Sequence, residues 1–180
     1  KYLGPLSRFS KIDVDTKYDL LVLLSGPEPQ RSFLEKKLFN ELEGFNGSIL
    51  FVKGQIEDEQ VKTEDGNLTI CNFMTGKELE KAINESNFVL SRSGYTTIMD
   101  LAKLGKKAFF IPTPGQFEQE YLAKKFTEED IAPSCSQDDF NLSKLNESKH
   151  FTGFNTLERN WYFIKLFSLF ERKRKLTANT

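Results

Sequence analysis

A chain of 180 residues, 38% of them hydrophobic, is long enough for one domain with a full core. Its 25 Lys and Arg nearly cancel its 26 Asp and Glu, and a net charge of −1 excludes nucleic-acid binding driven by bulk charge. No apolar run is long enough to span a bilayer, and the two cysteines, Cys71 and Cys135, stand in unlike contexts and read as reduced thiols.

Residues 1–17 show no period, and Gly4-Pro5 with scattered charges reads as a linker entering a domain. The absence of an initiator methionine at Lys1 suggests an excised fragment. Tyr18 to Ser25 (YDLLVLLS) is continuously apolar, as a central parallel strand is. Gly26-Pro27-Glu28-Pro29 then turns the chain into a helix over Arg31–Leu42, with Phe33, Leu34, Leu38 and Leu42 expected on its buried face. Ser48–Lys53 is the second strand. Glu57–Asp65 is highly charged and reads as a solvated loop. Leu68–Phe73 is the third strand, followed by a helix from Gly76 to about Asn84.

The stretch from Phe88 to Tyr121 carries the chemistry. Phe88-Val89-Leu90 and Ala108–Ile111 are short apolar strands, and between them Ile98, Leu101 and Ala102 recur at helical spacing, with Asp100 elsewhere on the wheel. Ser91-Arg92-Ser93-Gly94 breaks strand from helix; Gly94 permits a tight turn and Ser93 is a candidate helix cap. In an open α/β sheet ligands sit at the carboxyl ends of strands. A helix that starts there offers unpaired N–H groups and a positive dipole end, so Ser93, Gly94, Tyr95, Thr96 and Thr97 form a candidate phosphate site. After the second of these strands, Pro112-Thr113-Pro114-Gly115 cannot be helical, and Gln119 and Glu120 follow near the start of the next helix. A carboxamide beside a carboxylate can serve several hydroxyl groups, so this pair next to a phosphate site suits a sugar nucleotide.

These segments, Arg92-Ser93-Gly94, Asp100, Phe109-Phe110-Ile111-Pro112 and Gln119-Glu120-Tyr121, resemble the donor-binding half of the GT-B glycosyltransferases of family 28. The resemblance implies a UDP-sugar donor, with Asp100 accepting from the ribose, the backbone at Phe73 and Met74 meeting the uracil, and Gln119 and Glu120 holding the sugar. It also brings the first loop, Ser25 and Gly26, toward the diphosphate or the acceptor, although this loop has one glycine and two prolines where relatives are glycine-rich. Asp100 stands where close relatives have glutamate, and Glu120 where they often have glutamine.

The expected fold is α/β, a Rossmann-like three-layer domain with a parallel sheet of about six strands, Ile131-Ala132 supplying the last. Leu142–Lys149 reads as a short helix, and the single histidine, His150, as a surface residue. The expected division is a linker over 1–17 from a missing N-terminal acceptor domain, a donor-binding domain over 18–150, and a closing segment over 151–180. Within the last, Asn155–Lys175 reads as an aromatic-rich helix with a basic end, either packed across both domains or lying on a membrane surface.

The implied activity is inverting transfer of a hexose-type sugar from a UDP-sugar to an acceptor, lipid-linked in some relatives. No DxD pair appears, so no metal cofactor is expected, and the catalytic base is expected on the acceptor domain. The location implied is cytoplasmic, at the inner face of a membrane for a lipid-linked acceptor. Two alternatives remain open: a UDP-sugar hydrolase or epimerase on the same crevice, and a stand-alone donor subunit docking on a membrane-bound partner.

Overall fold

The structure is a computed structural model, and it describes residues 7–155. Six strands, β1 (Tyr18–Leu23), β2 (Ile49–Val52), β3 (Lys62–Asp65), β4 (Leu68–Cys71), β5 (Ser86–Ser91) and β6 (Lys107–Phe110), form one sheet in the order β3-β4-β2-β1-β5-β6. All neighbours pair in parallel except β3, which runs antiparallel to β4. The helices are α1 (Gln30–Leu42), α2 (Gly76–Asn84), α3 (Tyr95–Leu104) and α4 (Phe117–Glu128), with 3-10 segments at Leu142–His150 and Gly153–Asn155.

Alternation along the strands divides the core into two layers. Leu21, Leu50, Val89 and Ala108 stand in register on one face and pack against Ala82 and Ile83 of α2, Ile98 and Leu101 of α3, and Leu122 and Phe126 of α4. Their neighbours Val22, Phe51, Leu90 and Phe109 point the other way, onto Leu34, Leu38 and Leu42 of α1 and onto Phe140. Burying one such side chain is worth about 1.5–3 kcal/mol, so this double-sided burial keeps β1 at the centre.

The connection after β1 moves toward β2, whereas β5 and β6 lie on β1's other side. The order therefore reverses between β1 and β5, and the carboxyl ends of strands at such a reversal are where open α/β sheets bind ligands. One glycine keeps that rim tight. Gly54, just after β2, has φ +69°, and a Cβ there would stand 2.3 Å from the Leu24 carbonyl oxygen.

Several expectations change. The strand count holds, but its sixth member is β3 and not Ile131-Ala132. Phe110 instead makes an isolated bridge to Ser134, just past that pair. All four residues of β3 are exposed, which is why they read as loop; the signal that could have found them is the two-residue turn Gly66-Asn67 after Asp65. On α1 the inward residue beside Leu34 is Arg31, and Phe33 is 56% exposed. The Leu142–Lys149 helix is 3-10, and His150, its last residue, is exposed.

Residues 7–17 lie against α2 and α3. Phe9 joins the core, the Ser10 amide donates to Glu80 Oε1 at 2.5 Å, and Asn84 exchanges bonds with the Ile12 amide and the Ser10 carbonyl. The aromatic segment read as a helix over Asn155–Lys175 lies, after Asn155, outside the described residues.

Candidate functional site

The site is built where β5 ends. Arg92 leaves the strand pointing inward and is 1% exposed. Its Nη1 donates to the carbonyls of Ile111 (3.1 Å) and Pro112 (3.0 Å), and its Nη2 to the Gln30 carbonyl (2.9 Å) and Gln137 Oε1 (2.8 Å). One side chain thus ties the end of β5 to the end of β6, the start of α1 and the loop after α4. Among the described residues its Nε has no partner, and neither does the buried hydroxyl of Thr113. Burial pushes the Arg92 pKa down to about 10, so it remains charged near neutrality. The sequence motif contains Arg92 but does not mark it for burial; nothing in linear spacing does.

Ser93 is fully buried, and its hydroxyl donates to the Gln119 carbonyl at 2.8 Å. It does not cap α3, contrary to the sequence expectation. The N-cap is Gly94, which has no side chain to offer the helix, and no acidic residue stands in the first turn. The amides of a helix's first turn lack intrahelical acceptors, so the positive end of the α3 dipole points at this rim. Among the described residues, a Cβ built on Gly94 meets nothing within 4 Å. Tyr95 and Thr96 are exposed and Thr97 is half-buried. Burial, with Glu118 nearby, pushes the Tyr95 phenol up.

Asp100 sits one turn further along α3 and is buried. Its Oδ1 accepts from the Ser7 hydroxyl at 2.5 Å. Burial raises its pKa, against the lowering effects of Ser7 and Arg8. Ser7 lies in the stretch read as linker, and no local pattern announces its contact.

Gln119 and Glu120 both brace the loop that precedes them. Gln119 Oε1 accepts from the Thr113 amide at 2.9 Å, its Nε2 donates to Gln116 Oε1 at 2.5 Å, and Glu120 Oε1 accepts from the Gly115 amide at 2.8 Å. The bond from Ser93 to the Gln119 carbonyl sets this pair beside the α3 turn. The first loop arrives from the other side: Gly26 (φ +107°) lies over Thr113, whose Oγ1 would be 3.6 Å from a Cβ at that glycine. Ser25 and Gly26 are both exposed.

Phe73 and Met74 follow β4 and are half-buried. The Phe73 main chain is engaged, its amide by Asn72 Oδ1 and its carbonyl by Gln60 Nε2 and the Cys71 thiol. Met74 packs against the core. Of the two, Met74 is the better placed to offer its backbone. The structure thus groups residues 93–97, 119–120 and 25–26 around neighbouring strand ends, with Asp100 behind α3's first turn and residues 73–74 beyond β1 on the other half of the sheet.

A cavity of about 510 Å³ opens on the outer flank of α4, lined by Pro112, Glu120, Thr127, Ser134 and Gln137 among others. None of residues 93–97 borders it. Among the described residues, no three His, Cys, Asp or Glu side chains converge as a metal ion would require. Also among them, no helix is long and apolar enough to cross a membrane.

The model of the glycosyltransferase family 28 C-terminal domain matches residues 30–150. The chain belongs to that family. Similar proteins include two described as UDP-N-acetylglucosamine--N-acetylmuramyl-(pentapeptide) pyrophosphoryl-undecaprenol N-acetylglucosamine transferase. That of Methylobacterium radiotolerans is 35% identical over 71 residues, 38% of this chain and 19% of that protein. That of Haemophilus ducreyi is 25% identical over 126 residues, 67% of this chain and 35% of that protein. This family 28 chain therefore spans between a fifth and about a third of the curated relatives it matches. Among solved structures, MurG of Acinetobacter baumannii superposes with a TM-score of 0.57 at 20% identity, over 86% of this chain and 50% of that one. The likeness establishes the GT-B fold for the family 28 domain.

Proposed function

We propose that this family 28 domain binds the UDP-sugar donor of a glycosyl transfer. The observation that carries the reading is the start of α3: a glycine N-cap, no acidic residue in the first turn and, among the described residues, nothing within 4 Å of a Cβ at Gly94, all beside the point where the strand order reverses. A diphosphate is the guest that such a terminus favours. Asp100 receives the ribose hydroxyls, the loop at Met74 the uracil, and Gln119 and Glu120 the sugar. The relatives' printed activity, transfer of N-acetylglucosamine from a UDP-sugar to a pyrophosphoryl-undecaprenol acceptor, supports a hexose-type donor and a lipid-linked acceptor.

In the proposed reaction the acceptor hydroxyl attacks the anomeric carbon with inversion, and UDP leaves. Negative charge grows on the diphosphate as that bond breaks, and the α3 terminus stabilises it without a metal. The acceptor and the base that deprotonates it belong to a separate acceptor domain, so the 180-residue chain binds donor without turning it over.

Calorimetric or NMR titration with UDP, GDP, CDP and ADP tests this. UDP is expected to bind with a Kd on the order of 0.1–1 mM, roughly −4 to −5.5 kcal/mol, and unchanged by EDTA or magnesium. Equal binding of all four nucleotides, or of none, would refute the donor assignment.

A further inference from the structure

Buried charges in proteins are ordinarily paired, because taking an ion out of water is costly. Arg92 departs from this. All four of its hydrogen bonds go to neutral acceptors, three backbone carbonyls and the Gln137 amide oxygen. Among the described residues no carboxylate pairs with it, whereas Arg31, also buried, has Glu28 and Glu35. The uncompensated cation belongs to the residue two positions before the N-cap of α3, so its charge and the helix dipole have the same sign at the same rim.

We propose that Arg92 is held unpaired so that the ligand's diphosphate becomes its counter-charge, acting through space to make the crevice select a nucleoside diphosphate over the bare nucleoside. The inference rests on the donor-site reading above. Arg92 is then an electrostatic positioning residue and not a ligand contact, since its guanidinium is enclosed and its two terminal nitrogens are occupied. Carbonyl acceptors let it brace four segments while leaving its field intact; a carboxylate in their place would brace equally well and cancel the field.

That contrast supplies the test. Gln137→Glu puts a carboxylate of nearly the same shape on the atom 2.8 Å from Arg92 Nη2. Gln137 also borders the outer cavity, which leaves room for the second oxygen. UDP and uridine are titrated into the 180-residue chain and its variants, with urea unfolding curves for each. Gln137→Glu should fold at least as well as wild type and bind uridine unchanged, while UDP weakens by about fivefold to tenfold. Arg92→Lys, which keeps the charge and loses part of the bracing, should retain the wild-type preference for UDP over uridine even if both bind less well.

If Gln137→Glu leaves UDP affinity intact, or shifts UDP and uridine by the same factor, Arg92 is a structural brace and the proposal falls while the donor reading stands. If wild type itself shows no preference for UDP over uridine, both fall together.

Discussion

The Ser7 hydroxyl donates to Asp100 Oδ1 at 2.5 Å, although the two residues are 93 positions apart. The carboxylate assigned to the ribose therefore already holds one hydroxyl, supplied by the segment that leads into the domain. Substituting the two partners separates the internal bond from the ligand's. Asp100→Ala should weaken UDP by about 1.5–3 kcal/mol, the scale of a hydrogen bond to a charged group. Ser7→Ala loses the same internal bond but leaves the ribose acceptor in place, so its UDP affinity should stay within about twofold of wild type. Calorimetry on both, after matching urea curves, decides; equal losses would assign Asp100 a purely structural role.

The same carboxyl gives a pH signature. Burial holds its pKa above the ordinary 3.8, with Ser7 and Arg8 opposing. A raised folded-state pKa means that the native state takes up this proton more readily than the unfolded chain. The Asp100 contribution to stability therefore grows as pH falls through the folded pKa toward 3.8, and shrinks as pH rises. Asn cannot take up the proton. Wild type should gain stability relative to Asp100→Asn between about pH 7 and about pH 4, measured by urea unfolding; a difference moving the other way would contradict the direction.

Two glycines should respond oppositely to the same change. Gly54→Ala forces a Cβ to 2.3 Å from the Leu24 carbonyl at a positive φ, and should cost more than about 2 kcal/mol of stability. Gly94→Ala meets nothing within 4 Å among the described residues, at φ −70°, so its unfolding curve should match wild type. The methyl would stand in the space assigned to the diphosphate, and UDP binding should fall at least tenfold. Unchanged binding would place the phosphate elsewhere.

For Gln119 and Glu120, the pair proposed to hold the sugar, the bonds within the loop set the expectation. Gln119→Ala removes the acceptor of the half-enclosed Thr113 amide and should cost about 1–2 kcal/mol in stability. Glu120→Ala loses only an exposed bond to Gly115 and should leave the unfolding curve unchanged. Neither should alter UDP affinity by more than about twofold, and both should reduce the additional affinity of UDP-N-acetylglucosamine over UDP. Loss of UDP itself in Glu120→Ala would reverse the assigned orientation of the donor.

Local pattern determined what it physically controls. Strands buried on both faces are continuous apolar runs, so β1, β2, β5 and β6 could be read directly, as could the half-buried β4 from its β-branched residues, α2 and α3, and the break between β5 and α3. The α3 terminus was legible as a glycine-led turn from strand into helix because its residues are consecutive. What tertiary structure alone decided depends on groups brought together from distant positions. Lys62–Asp65 became an edge strand because β4 offered a free edge; its four exposed polar residues do not record this, and only the Gly66-Asn67 turn beside them marks a hairpin. Arg92 was buried because carbonyls from residues 30, 111 and 112 and the amide of Gln137 converged on it. Asp100 was covered because Ser7 reached it, and Ser93 turned from capping α3 to bonding Gln119. Hydrophobic periodicity is set within a few residues of chain, whereas the partner of a buried polar group is fixed only when the whole sheet has closed around it.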